Sequence, residues 1–305
     1  MSEIVAAHHL ARFYKDVVGL NDLTVEIEGG ITGILGPNGA GKSTFLKLLV
    51  GELRPSRGTV RVLGLDPFAN RELYRRIGFC PQQDAFWGHL SGREFVQTLL
   101  RLSGFGRGEA RQRAVRALER VGLEGAMERR IDGYSKGMRQ RTKLAQALAH
   151  GPQLLVADEP LTGLDPVARK EVQGLFVELA AGGMHLLVSS HVLHEVEALT
   201  SHVVVIHRGR LLARGEVGEV RRLLSRHPRQ VRVRARDPRR LAEACVALEH
   251  VGAVRLGPGS LSIETSDVES FFRELPPLAS RARAGISGLE STDANLEAVF
   301  DYLLG

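Results

Sequence analysis

One glycine-rich stretch combines a lysine with two hydroxyl side chains, a set of groups suited to holding anionic phosphate. It matches the pattern G-x-x-x-x-G-K-[ST], with an apolar strand candidate over 31–35 before it and a helix-like run over 44–50 after it. The stretch consists of Gly36, Pro37, Asn38, Gly39, Ala40, Gly41, Lys42, Ser43 and Thr44. Backbone N–H groups of such a loop turn inward around phosphate oxygens, and the helix start adds a partial positive charge. The pattern therefore predicts a site for nucleotide phosphates.

The residues that follow the last glycine of this loop predict distinct contacts. Lys42 would bring a full charge to the β and γ phosphates, and Ser43 would offer its hydroxyl to Mg²⁺. Thr44 would lie within reach of the α-phosphate. The loop alone leaves kinases, GTPases and transporters open, so other residues must decide the chemistry.

Two adjacent carboxylates follow a second apolar run. The run covers 154–157, and Asp158 and Glu159 come directly after it. We expect Asp158 to orient Mg²⁺ and Glu159 to accept a proton from the water that attacks the γ-phosphate. The alternative is a strand that merely ends in an acidic turn, and the phosphate loop upstream disfavours it.

Hydrophobic periodicity predicts the elements around the loop. Alternation with period two over 3–28 indicates an antiparallel sheet, and short apolar runs predict further strands over 59–63, 77–80, 154–157 and 185–191. Strands that alternate with helices indicate a parallel sheet covered on both faces. The runs that close this part, 203–206 and 210–213, predict a hairpin.

A helical insertion of about 83–149 interrupts this pattern. Apolar residues at three- and four-residue spacing predict helices over 94–103, 109–121 and 138–149, with a flexible link at 104–108. A further helix is predicted over 167–179, between two of the strands.

Length and pattern predict two domains, 1–225 and 226–305, because 305 residues hold about two domains of ~150 residues each. The first is expected to be α/β. The second is expected to be a small α+β domain that follows a linker at 226–229. Its predicted elements are strands over 230–235 and 261–264 and helices over 239–250, 267–275 and 294–304.

Composition excludes several classes of protein. No run approaches the ~18–20 apolar residues of a membrane helix, and the first residues lack the order of a signal peptide, so we expect a cytosolic chain. Cys80 and Cys245 lie far apart, which predicts reduced core thiols and neither a disulfide framework nor a zinc site.

The formal net charge of +6 raises the question of a nucleic-acid partner. From Arg229 onward, ten arginines and no lysine stand against eleven acidic residues, so the excess lies in the first domain. A solvated, arginine-rich surface explains it better than a nucleic-acid site.

Several further residues stand in the order found in the ATP-binding-cassette (ABC) ATPases, which the chain resembles over roughly 3–220. The matching positions are Tyr14 for the adenine-stacking aromatic, Gln82 for the Q-loop, residues 134–141 for the signature, Asp165 for the D-loop and His191 for the switch histidine. The resemblance implies a P-loop NTPase fold with an antiparallel β-subdomain and a helical insertion. From the residues alone, Tyr14 could equally be a partly buried core tyrosine.

The resemblance also implies a head-to-tail dimer in which ATP at one phosphate loop is capped by the signature of a second copy. Ser135 is expected to cap the helix that follows and, with the Gly137 N–H, to present donors to the γ-phosphate. Gln82 would sense the metal and water, and His191 would hold the γ-phosphate. Asp165 would take part in the same shared site.

The signature carries Lys136 and Met138 where the commonest family form, S-G-G-Q, has glycine and glutamine. The form Ser-Lys-Gly-Met-Arg-Gln-Arg is similar to that of cassette ATPases serving ABC-2 exporters, which also often carry a short α+β tail with a helix like that at 295–300. This resemblance implies a separate ABC-2 permease in the membrane, with the ATPase peripheral on its inner face and no nucleic acid as partner.

Three functions therefore stand in order. The first is the ATP-hydrolysing subunit of an ABC-2 transporter, with the segment around Trp87 docking the permease or, alternatively, only packing on the helical insertion. The second is a soluble ABC ATPase that acts on nucleic acid or ribosomes. The third is a degenerate cassette that only binds nucleotide, which Glu159 and His191 argue against. The domain from 229 onward is expected to contact a partner or a second copy, unless its arginines form only a solvated face.

Overall fold

The computed structural model describes residues 3–219 and 229–291. The chain divides into two compact units, Met1–Val217 and Gly218–Gly305. This division falls somewhat before the expected boundary at 225/226, and most of the expected linker lies outside the described residues. Within the described residues, no helix combines the length and the apolar character needed to cross a bilayer.

The first unit alternates strands and helices along most of its length. Its strands are β1 (Glu3–Tyr14), β2 (Val17–Glu28), β3 (Ile31–Leu35), β4 (Arg57–Val62), β5 (Ile77–Cys80), β6 (Leu154–Ala157), β7 (His185–Ser190), β8 (His202–His207) and β9 (Arg210–Glu216). Its helices are α1 (Lys42–Leu49), α2 (Arg71–Arg76), α3 (Gly92–Leu102), α4 (Arg107–Arg120), α5 (Lys136–Leu148), α6 (Pro166–Ala181) and α7 (Leu193–Glu197).

Two sheets organise this unit. The antiparallel sheet has the order β2-β1-β4, and the larger sheet has the order β5-β6-β7-β3-β8-β9. Strand β3 is parallel to both of its neighbours, whereas β9 pairs antiparallel with β8 and closes the predicted hairpin. The fully buried run of β6 fits a strand covered on both faces. The predicted α/β fold with an antiparallel subdomain is confirmed.

The helical insertion contains α3, α4 and α5, and each begins two residues before its predicted start. Ser91 forms a capping box with Glu94 at the start of α3, and the Ser135 side chain accepts a hydrogen bond from the Met138 N–H at the start of α5. Helix starts precede the first apolar residue because caps are polar. The prediction of a flexible link through 104–108 is wrong at its end, because Arg107 already begins α4.

The second unit is a split βαβ arrangement. Its elements are β10 (Arg229–Ala235), α8 (Pro238–Val246), β11 (Val251–Gly257), β12 (Ser260–Thr265), α9 (Val268–Arg281) and β13 (Ile286–Ser291). The strand order β11-β12-β10-β13, all antiparallel, is that of the ferredoxin-like fold.

Two predicted helix ends in this unit are wrong. Helix α9 continues through Pro276 and Pro277 to Arg281, with Leu275 and Ala279 buried on its inner face. Helix α8 stops at Val246, before the predicted end at residue 250. The predicted helix over 294–304 lies outside the described residues.

Candidate nucleotide site

The strand order of the larger sheet gathers the predicted chemistry at one edge. Strands β5, β6, β7 and β3 are parallel neighbours, so their carboxyl ends meet. The residues that follow these ends are Gln82, Asp158 with Glu159, His191, and the loop 36–44. Residues scattered over more than 150 positions of the chain therefore lie together, at the edge where open α/β sheets bind ligands.

The loop 36–44 connects β3 to α1 and has the backbone of a phosphate cradle. Gly39 and Gly41 have φ of 79° and 106°, and a Cβ on Gly41 would lie 2.5 Å from the Gly19 carbonyl oxygen. A cavity of about 260 Å³ opens on the loop. Its lining residues are Tyr14, Val17, Val18, Gly19, Pro37, Asn38, Gly39, Ala40, Gly41, Lys42, Ser43, Thr44, Gln82 and Glu159. Inward N–H groups at a helix start and a buried lysine fit the phosphates of a nucleotide.

Lys42 is buried and fully partnered. Its ammonium donates to the carbonyl oxygens of Gly36 at 2.7 Å and Pro37 at 3.1 Å, and it lies 3.2 Å from Glu159 Oε1. A buried lysine is stable only with such partners. The charge is thereby fixed at the loop, directly beside the carboxylate predicted to act as the base.

Glu159 is 6% exposed and is held from several sides. Its Oε2 lies 2.8 Å from His191 Nδ1 and accepts a hydrogen bond from the Thr162 hydroxyl at 3.1 Å. Burial raises the pKa of this carboxyl, but Lys42 and His191 outweigh burial, and the net pKa lies below the ordinary value. Glu159 is therefore ionised at neutral pH, as a proton acceptor must be. Its φ of 50° is unusual for a non-glycine residue and turns the chain at the end of β6.

Asp158 is held by the neighbouring strand. The Ser189 hydroxyl donates to Asp158 Oδ1 at 2.6 Å and accepts from the Glu159 N–H at 2.8 Å. Asp158 is 2% exposed, so its orientation is set by β7 and not by water. Such a fixed, buried carboxylate at the cavity edge has the chemistry of a Mg²⁺ ligand or of a partner to Mg²⁺-bound water.

Comparison with known proteins is consistent with this geometry. Residues 20–162 match the family described as ABC transporter. The uncharacterized ABC transporter ATP-binding protein YxlF of Bacillus subtilis is 38% identical over 220 residues, which cover 72% of this chain and 72% of that protein. The daunorubicin/doxorubicin resistance ATP-binding protein DrrA of Streptomyces peucetius is 33% identical over 300 residues, 97% of this chain and 91% of that protein.

The chain belongs to the ABC transporter ATP-binding proteins. The predicted membership, of the ABC-2 exporter type, and the predicted ATPase activity are confirmed. Among solved structures, the ATP-binding cassette MJ0796, dimeric and bound to ADP and Pi after hydrolysis, matches with a TM-score of 0.65 and 24% identity. The match covers 70% of this chain and 99% of that one, which shows the shared cassette fold.

The structure of this ABC ATPase places Tyr14 at the mouth of the cavity. The Tyr14 hydroxyl lies 3.5 Å from Thr44 Oγ1, and the Arg12 guanidinium carbon lies 5.0 Å from the centre of the ring. The ring is 37% exposed, so a face remains available to a ligand. Val17 and Val18, 66% and 50% exposed, lie beside it, and sequence reasoning missed both.

The signature residues of the cassette are not among the residues that line its own cavity. Ser135 is exposed at the start of α5, and Asp165 caps α6 by accepting from the Val167 and Ala168 N–H groups. The side chain of Lys136 lies over Gly163, where a Cβ would overlap its ammonium. The sequence brings Tyr14, Lys42, Gln82, Glu159 and His191 to one place and Ser135, Gly137 and Asp165 to another.

Two supporting residues, Thr162 and Ser189, also escaped the sequence analysis. Both are small hydroxyl residues whose role appears only when the strand ends meet. A hydroxyl three residues beyond Glu159, within reach of its carboxylate, was the one local signal for Thr162.

Proposed function

We propose that this ABC ATPase hydrolyses ATP to power export through a separate ABC-2 permease, and that it does so by closing as a head-to-tail dimer. The observation that carries the proposal is the ionised, buried Glu159 held between Lys42 and His191 beside the phosphate loop. A cassette that only bound nucleotide would not need a base fixed at this position.

In the proposed reaction, Glu159 accepts a proton from the water that attacks the γ-phosphate. Lys42 and the loop N–H groups hold the β and γ phosphates, and His191, whose Nδ1 already contacts Glu159, stabilises the charge that develops on the γ-phosphate. Tyr14 stacks on the adenine. Ser43, Gln82 and Asp158 would hold Mg²⁺, which neutralises phosphate charge when bound.

The second half of the site is proposed to come from another copy of the chain. Ser135 and Gly137 stand exposed or half-exposed at the start of α5, where the N–H groups of a helix end favour an anion. MJ0796 forms a dimer in its post-hydrolysis state, which supports this arrangement. Asp165 is proposed to belong to the same closed interface.

The proposed permease site is an apolar groove beside the Q-loop, which we call the docking groove. It has a volume of about 560 Å³. Its lining residues are Ile77, Phe79, Pro81, Ala85, Phe86, Trp87, Phe95, Leu99, Leu100, Ser103, Lys143, Gln146, Ala147 and His150. The Trp87 ring lies 5.8 Å from that of Phe95, yet Trp87 remains 44% exposed. It thus packs on the insertion and still offers a face to an apolar helix of a permease.

Co-purification tests the proposal. A tagged chain expressed in its native cell is expected to bring down an integral membrane protein from detergent extracts, and Phe86→Ala with Trp87→Ala is expected to lose it. A matched control, Tyr74→Ala, removes an aromatic side chain that is 43% exposed and lies outside the groove. Retention of the permease by the double variant would show that the docking groove is wrongly assigned. ATP hydrolysis stimulated by duplex DNA, without a co-purified membrane protein, would favour the nucleic-acid alternative.

A further inference from the structure

A buried lysine outside the family motifs joins the two cavities of the first unit. Lys143 lies on α5 and is 4% exposed. Its ammonium donates to the backbone carbonyl oxygen of Gln82 at 2.9 Å and lies 3.0 Å from Asp84 Oδ1. Burying an ammonium costs free energy unless its donors are satisfied, so these two contacts determine where the Lys143 side chain lies.

The position of Lys143 links three functional elements. The residue lies two turns along α5 from Ser135, the cap of the signature helix. It lines the docking groove, whereas Gln82, whose carbonyl it binds, lines the nucleotide cavity. A single side chain therefore touches the groove and fixes the backbone of a residue at the nucleotide.

The other contacts of this face of α5 show why Lys143 differs from its neighbours. The Gln146 amide donates to the Phe79 carbonyl at 2.6 Å, and His150 Nε2 lies 3.0 Å from the Ile77 carbonyl oxygen. Both carbonyls belong to β5, which is already fixed by its pairing with β6. Lys143 instead reaches past the end of β5, to a segment in which residues 82–85 are exposed.

Of the two partners of Lys143, the carbonyl is the more important for geometry. The Asp84 side chain is 42% exposed, so water screens its attraction to the ammonium. The bond to the Gln82 carbonyl restrains the backbone itself and therefore the direction in which the Gln82 side chain leaves it.

We propose that Lys143 is a positioning residue that makes Gln82 move with the signature helix. Displacement of α5, whether by a partner in the docking groove or by closure of the dimer, is carried to Gln82 through this one hydrogen bond. The inference rests on the proposed role of Gln82 at the ATP site, and it identifies the contact through which the docking groove affects hydrolysis.

Steady-state ATP hydrolysis by the full-length chain tests this inference. Lys143→Met keeps the length of the side chain and the helix propensity but removes the donor. We expect kcat to fall roughly tenfold, because a misplaced group loses its productive geometry, whereas KM for ATP changes by less than about twofold. Lys170→Met, an exposed lysine on α6, is the matched control and is expected to retain both values.

A double-mutant cycle separates positioning from a general loss of structure. If Lys143 acts through Gln82, then Lys143→Met in a Gln82→Ala background is expected to cause less than about a twofold further loss of kcat. Asp84→Asn, which leaves the carbonyl bond, is expected to keep kcat within about twofold of the wild type. Circular dichroism confirms folding, and Lys143→Gln replaces the methionine variant should that one not fold.

Additive losses in the cycle, an unchanged kcat in Lys143→Met, or an equal loss in Asp84→Asn would each overturn the inference. These outcomes differ from failure of the proposed function, in which the wild-type chain itself would not hydrolyse ATP or Glu159→Gln would leave turnover unchanged.

Discussion

The loop end and the signature end of this ABC ATPase are built in opposite ways. At the loop end, Lys42 and Glu159 are buried, bonded to each other and braced by neighbouring strands. At the signature end, Ser135 is exposed, and its hydroxyl caps its own helix. The loop end is thus complete within one chain, whereas the signature end presents donors outward. We infer that a second copy brings the two together.

The largest expected effect removes the base from the loop end. Glu159→Gln keeps the shape of the side chain but cannot accept the proton, so kcat is expected to fall by roughly 10²–10⁴-fold with ATP binding retained. Phosphate release and a fluorescent-nucleotide titration measure the two quantities. Glu124→Gln, an exposed position, serves as the control. Turnover at the wild-type rate would remove Glu159 as the base.

The next effect distinguishes the two ends by affinity. Lys42→Ala removes a charged donor to the phosphates, and the Kd for ATP is expected to rise by the equivalent of about 1.5–3 kcal/mol. Ser135→Ala is expected to leave the Kd of the monomer within about twofold, because Ser135 is not among the residues that line the cavity of its own chain. Equal losses in the two variants would contradict the division into two ends.

A smaller effect is expected at the base-binding side of the loop end. Tyr14→Ala should weaken ATP binding by about 1–3 kcal/mol, the usual contribution of stacking, whereas Tyr14→Phe should bind as the wild type does. Isothermal titration calorimetry measures both. If the phenylalanine variant bound as weakly as the alanine variant, the hydroxyl contact with Thr44, and not stacking, would be the important interaction.

The smallest effect concerns the stability of the loop end. Because Lys42 and His191 hold the pKa of Glu159 below its ordinary value of 4.5, the ionised form stabilises the fold above that pH. This contribution is lost as the pH falls through the folded pKa. Urea unfolding at several pH values is therefore expected to show a stability deficit in Glu159→Gln at pH 7 that shrinks below about pH 4.5. A deficit independent of pH would mean that shape, not charge, is lost.

The sequence predicted the parts of the site whose signals are local. The loop 36–44 and the pair Asp158 and Glu159 are contiguous motifs, and β3 and β5 begin and end where the apolar runs do. Their assembly followed from the rule that neighbouring parallel strands present their carboxyl ends together. The ABC family assignment rested on the order of these motifs, and the relatives confirm it.

The missed features depend on contacts between distant residues. Ser189 and Lys143 have no motif of their own, and their roles arise because β7 lies beside β6 and α5 lies along β5. The course of α9 through Pro276 and Pro277 escaped prediction because burial of its apolar face outweighs local propensity. The split βαβ order of the second unit likewise depends on pairings that periodicity does not encode.

The central claim, that one complete site needs two chains, is tested by mixing two inactive variants. Lys42→Ala disables the loop end, and Ser135→Arg blocks the signature end with a bulky side chain. In a mixed dimer, the loop of the second variant meets the signature of the first, and both ends of that site are intact. We predict that the equimolar mixture hydrolyses ATP well above either variant alone. A mixture no more active than the mean of its components would contradict the shared site.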